Sequence, residues 1–172
     1  MGMAGLVLID VDGVIAPFAK YPQDLSGAVV EEVPGFGGVI ILKDRIADLT
    51  RIASETGSEL LFHTSWDKSE ANRAFAKFFG RELEAVSGGL ARAVWWKLDA
   101  VEDALPQWAT EGRRVVWLDD MLDDENDFGD TWGELGQKAA EEAGVPMLVI
   151  VPDKYTGLTE EHIEAIAEFL AP

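Results

Sequence analysis

An α/β domain of three layers, with a central and mainly parallel sheet between helices, is the fold this sequence predicts. Short runs that are apolar at every position alternate with segments of helical spacing, the pattern of strands buried on both faces. Carboxylate and hydroxyl side chains fall just past the ends of those runs, where ligands bind in such sheets. A length of 172 residues, 48% of them hydrophobic, suits a single domain over 1–172.

The first strand, Leu6 to Ile9, ends in Asp10-Val11-Asp12-Gly13. The segment after it departs from the alternation: AVVEEV and GGVIIL flank Pro34-Gly35-Phe36-Gly37 and read as a hairpin, giving a small flap over about 16–42. Ile46, Leu49 and Ala53 then share a helix face that Gly57 stops. Leu60 to Phe62 is the second strand of the sheet. The next helix carries Ala71, Phe75, Phe78 and Phe79 and ends at Gly80, and Leu83 to Val86 adds a short strand. Val94, Leu98, Val101, Leu105 and Trp108 step by fours and threes toward Gly112. After the strand Val115 to Leu118, Trp132, Leu135, Ala139 and Ala143 make a further face before Gly144 and Pro146. Met147 to Val151 completes the sheet. Thr159 is an N-cap, with Glu160 and Glu161 in the first turn ahead of Ile163, Ile166 and Leu170. The sequence has no internal repeat, no low-complexity tract and no interdomain linker.

Composition narrows the chemistry. No apolar run approaches the length of a membrane span and the N-terminus lacks a signal-peptide pattern, so a soluble protein that stays in the cytoplasm, without membrane association, is expected. With no cysteine there is no thiolate nucleophile and no cysteine zinc site, and His63 and His162 are too far apart in sequence to suggest a zinc cluster. Any metal should be a hard ion held by oxygen. The formal charge of −18, from 32 acidic and 14 basic residues, repels polyanions, and Arg113-Arg114 is no basic run. Nucleic acid is therefore disfavoured as a partner. A solvated acidic surface is the plain reading of this charge, with nucleic-acid mimicry or a high-salt habitat as the others.

Three strand ends carry the candidate site. Asp10 and Asp12 close the first, Thr64 and Ser65 follow LLFH, and Asp119 and Asp120 follow VVWL. Neighbouring strands would gather these carboxylates in one small volume, where either a cation neutralises them or one keeps a proton. Mg2+ fits the first option, being a hard ion that takes oxygen ligands. Each piece also has a plainer reading: DxDG as a capped turn, Thr64-Ser65 as a helix cap, and the run through Asp123, Asp124, Glu125, Asp127 and Asp130 as an acidic loop. That loop is not a calcium-binding EF-hand, because Phe128 and Leu135 stand at ligand positions. What the plainer readings do not predict is that all three motifs fall at strand ends of one sheet.

With these motifs the chain resembles the haloacid dehalogenase (HAD) superfamily, whose fold is Rossmann-like. Its first motif is similar to LIDVDGV, its second to LLFHT and its fourth to VVWLDD; its third, a lysine, is best matched by Lys97 in VWWKLDAV. TSWDKSEAN, WLDD and the closing GLTEEH resemble small HAD domains, some of them linked to RNA repair proteins. The resemblance implies a phosphatase in which Asp10 attacks phosphorus and forms an aspartyl phosphate. Asp12 would act as general acid and base, a position at which family dehalogenases carry no aspartate. It further implies Mg2+ held by Asp10, the backbone carbonyl of Asp12 and Asp120, with Asp119 in support. Thr64 and Ser65 would bind phosphoryl oxygens, and Lys97 would offset their charge. Lys97 lies at the edge of an apolar helix face, where an ordinary snorkelling lysine also sits, and Lys68 is the reserve. Trp66 reads either as a core residue or as a stacking surface for a substrate ring.

Ordinary helices account for the segment between Thr64 and Val115, so little or no cap and an open site are expected. The substrate expected is a phosphomonoester, a small molecule or the exposed phosphate end of a larger one. Repulsion of polyanions does not forbid this, since charges are screened over about 8 Å at physiological salt. The alternative is a non-catalytic acidic binding protein, such as a nucleic-acid mimic, on the same fold. A phosphoacceptor signalling domain fits less well, because its paired acids come early and here Asp119-Asp120 come late.

Overall fold

The computed structural model describes residues 4–86 and 96–172. Side chains alternate across a strand, and the buried strands use both sides. β1 (Gly5–Ile9) sends Val7 and Ile9 into one core and Leu6 and Leu8 into another, all four buried. Burying such a side chain contributes about 1.5–3 kcal/mol, so this strand anchors the domain from both faces.

The flap follows as β2 (Ala28–Val33) and β3 (Gly37–Leu42), an antiparallel pair separate from the main sheet. Then come α1 (Lys43–Thr56), β4 (Glu59–Phe62), α2 (Lys68–Phe79), β5 (Glu84–Ala85), α3 (Trp96–Glu111) and β6 (Arg114–Leu118). α4 (Trp132–Ala143), β7 (Met147–Ile150) and α5 (Glu160–Leu170) complete the order. The main sheet is parallel throughout, in the order β5-β4-β1-β6-β7. Helices α1, α2 and α5 pack on the face holding Val7, Phe62 and Leu118; α3 and α4 cover the face holding Leu8 and Trp117. This is the expected three-layer, Rossmann-like α/β arrangement. The connections leave β1 toward β4 on one side and β6 on the other, so the crevice of a doubly wound sheet opens at the end of β1.

Several details differ from the sequence reading. The strand expected over Leu83 to Val86 is only two residues long, although the Val86 N–H still reaches the Phe62 carbonyl at 3.0 Å. β7 stops at Ile150, one residue short of the expected Val151. Val94, counted on the third helix face, lies outside the described residues. In α4 the fully buried stripe is Gly133, Gly136 and Ala140, while Trp132, Leu135, Ala139 and Ala143 are only partly buried. The cause is Trp117, whose ring lies where a Cβ on Gly136 would have to go. Among the described residues no helix is long and apolar enough to cross a membrane.

Candidate active site

Asp10 remains tied to the sheet through its backbone, since its N–H donates to the Leu118 carbonyl at 3.0 Å. Asp10 is 4% exposed, and its carboxylate accepts the Val11 N–H at 2.8 Å. The next residues turn sharply, with the N–H groups of Ile15 and Ala16 both directed to the Val11 carbonyl. Gly13 has φ of 71° there, and a Cβ at this position would fall against the Asp120 carboxylate. The glycine of DxDG is thus required twice, by its left-handed backbone and by the approach of an acid from the end of β6.

Lys97 enters from the first turn of α3. Its Nζ lies 2.9 Å from Asp10 Oδ2 and 2.6 Å from Asp119 Oδ2, and all three side chains are buried. It is therefore a buried ion-pair partner and not a snorkelling surface lysine. Lys68, the reserve, is half-exposed and pairs with Glu84 at 2.9 Å. Thr64 and Ser65 do not cap α2 either; Asp67 does, accepting the Ser69 N–H at 2.8 Å. Thr64 is buried with its hydroxyl toward Asp10, whereas Ser65 is exposed at the mouth of the site.

Asp10, Asp12, Ser65, Lys97 and Asp120 line one cleft of about 300 Å³. Asp119 lies beneath it, fully buried, with Oδ2 taken by Lys97 and Oδ1 by the Met121 N–H at 3.0 Å. Asp120 is half-buried and faces the cleft. Oxygens of Asp10, Asp119 and Asp120 all come within 4.8 Å of one another.

Burial dominates the electrostatics. It pushes the Asp10 carboxyl up, against the Lys97 ammonium and the hydrogen bonds from Lys97, Thr64 and Val11. Asp119 is pushed up to about 6 by burial and then by the Asp10 charge, Asp120 to about 6 by burial and then by Asp119. Burial pulls Lys97 down, but Asp10 and Asp119 outweigh it and hold the lysine above its ordinary range. His63, packed behind the site with Nε2 3.0 Å from the Lys97 carbonyl, is pulled to about 4 by burial and then by Lys97. His63 is thus neutral at pH 7, and Lys97 is the cation of the cluster. Among the described residues three carboxylates face one ammonium, an oxygen-only donor set short of positive charge, which is the chemistry Mg2+ suits.

Sequence reasoning missed one hydrogen bond of Trp66 and three residues of the cleft wall. The Trp66 Nε1–H donates to Asp12 Oδ2 at 3.0 Å, and the Trp66 ring stacks on Phe36 at the flap tip, 4.0 Å between centroids and 7° from parallel. Trp66 is thus a core residue that also holds the Asp12 carboxylate. Phe18, Trp96 and Met121 supply apolar wall to the cleft. Only the indole N–H of Trp66, a donor needing a partner when buried, was a signal available in advance.

A family model described as "HAD domain in Swiss Army Knife RNA repair proteins" matches residues 6–163. No curated protein matches the sequence. The chain is similar to a solved structure titled "conserved hypothetical protein BatB from Bacteroides thetaiotaomicron". The identity is 8%, with 98% of this chain and 97% of that chain covered and a TM-score of 0.42.

Proposed function

The chain belongs to the family of HAD domains found in Swiss Army Knife RNA repair proteins, and from that premise we propose that it is a Mg2+-dependent phosphatase acting on phosphomonoesters. The observation that carries this reading is the convergence of Asp10, Asp119 and Asp120 around Lys97 at the end of the switch-point strand, with Asp12 two residues beyond Asp10 in the turn.

In the first step a carboxylate oxygen of Asp10 attacks phosphorus, the bond to the leaving oxygen breaks, and Asp12 gives that oxygen its proton. In the second, Asp12 takes a proton from water as the water attacks the same phosphorus. Inorganic phosphate leaves and the Asp10 carboxylate is restored. Lys97 holds Asp10 in line and offsets charge on the phosphoryl group, while Thr64 and Ser65 bind its oxygens. Asp10 and Asp120, which line the cleft, would hold Mg2+, with Asp119 in support beneath them. The ion supplies neutralisation of the phosphoryl oxygens. Trp66 keeps Asp12 oriented toward the leaving group.

The test is phosphate release from a panel of phosphomonoesters, with and without Mg2+. Turnover that needs Mg2+ and is lost in Asp10→Asn is expected, and undiminished turnover by Asp10→Asn contradicts the proposal. The formal charge of −18 favours a second reading, an acidic binding protein on this fold. Salt-sensitive capture of a basic partner, unchanged by Asp10→Asn, together with no phosphate release, would select it.

A further inference from the structure

A second cleft, of about 350 Å³, adjoins the first and shares Asp12 and Phe18 with it. The two differ in chemistry. The first holds Asp10, Lys97 and Asp120; in the second, Asp12 is the only ionisable residue among the described residues, and the rest of the wall they form is apolar or glycine. We propose that this second cleft, walled by Phe18, Phe36, Val39, Ile40 and Trp66, binds the leaving group of the substrate, and that this group carries a flat, uncharged aromatic ring close to the ester oxygen. The assignment rests on the phosphatase reading, in which Asp12 protonates the leaving oxygen.

Geometry sets the direction. A proton donor must touch the oxygen it protonates, so the organic part of the ester lies next to Asp12, the residue that the second cleft shares with the first. The wall there is rigid. Trp66 is 8% exposed, is fixed by its hydrogen bond to Asp12, and meets Phe75 edge-on at 5.7 Å. Phe36 already stacks on Trp66 yet is 46% exposed, and Phe18 is 54% exposed, so both rings keep free surface at the cleft. Exposed aromatic surface beside a preorganised wall suits a planar ring. With no cation among the described residues that line this cleft, an occupant bearing a second phosphate would meet Asp12 and the negative charge of the protein. A monophosphate of an uncharged aromatic alcohol is the class that fits both clefts.

Non-hydrolysable phosphonates separate binding from chemistry. With Mg2+ present, calorimetry on the wild-type protein should show benzylphosphonate binding about 10-fold tighter than methylphosphonate, the order of one good aromatic contact. Phe18→Ala and Phe36→Ala should each shrink that preference, and Phe36→Tyr, which keeps the ring, should retain it. Equal binding of the two phosphonates, or a preference that survives the double alanine variant, overturns the assignment. Phosphate release from phenyl phosphate is measured on the same samples. Release without a benzyl preference removes the aromatic subsite and leaves the phosphatase reading; a preference without release does the reverse. If neither phosphonate binds and no phosphate is released, both fall.

Discussion

Asp119 and Asp120 are followed in the same loop by Asp123, Asp124, Asp127 and Asp130, and these two groups of acids meet opposite surroundings. The first pair sits at the end of β6, one side chain fully buried and the other half-buried, within reach of Asp10 and Lys97. The later four are exposed, in a loop that Asn126 braces by accepting the N–H groups of Phe128 and Asp130 at 2.8 and 3.1 Å. The difference teaches that a count of carboxylates says little about chemistry. A strand end that forces them out of water beside Lys97 is what shifts their protonation.

The comparison breaks or sharpens on substitutions taken from the buried group outward. The largest effect after loss of the nucleophile is expected for Asp12→Asn, which should lower kcat/KM about 10²- to 10⁴-fold, the range for a general acid–base residue, with little change in thermal stability. Next is Lys97→Met, which leaves Asp10 and Asp119 buried without their cation. Urea unfolding should show a loss of about 3–5 kcal/mol near neutral pH, as for a broken buried ion pair. The sign of its pH dependence is fixed. Uncompensated burial raises both carboxyls above their unfolded values, the folded state then binds more protons, and the defect shrinks as pH falls toward 5.

A smaller effect concerns the ion. Mg2+ at 100 times its dissociation constant should stabilise the protein by about 2.7 kcal/mol. Because Asp120 is raised to about 6, protons compete with the ion below that value. The Mg2+-induced rise in Tm should therefore be full at pH 7.5 and fade as pH falls through about 6. A rise that persists unchanged at pH 5 would place the ion elsewhere. Least of all is expected from Asp127→Asn with Asp130→Asn in the exposed loop: a stability change within about 0.5 kcal/mol and phosphate release unaltered.

Legibility in the sequence followed the same division. Asp10, Asp12, Thr64, Asp119 and Asp120 stand at the ends of strands that are apolar throughout, so periodicity alone located them in space. Lys97 was ambiguous because helical spacing places a residue on a face without saying what the face meets; Asp10 and Asp119 decide that, from 87 and 22 residues away. The Trp66–Asp12 hydrogen bond spans 54 residues and leaves no spacing to read. The buried stripe of α4 was missed for another reason: Gly133, Gly136 and Ala140 score as weakly apolar, yet their smallness is what admits the Trp117 ring.

The central claim is that Asp10, and not any of the exposed acids, becomes covalently phosphorylated. Rapid acid quench of the protein with a phosphate-labelled aryl monophosphate and Mg2+ measures this directly. An acid-stable, hydroxylamine-sensitive label is expected on Asp10 in the wild-type protein, absent from Asp10→Asn and present in Asp127→Asn. Phosphate release with no label at any time, or an equal label in Asp10→Asn, would contradict it.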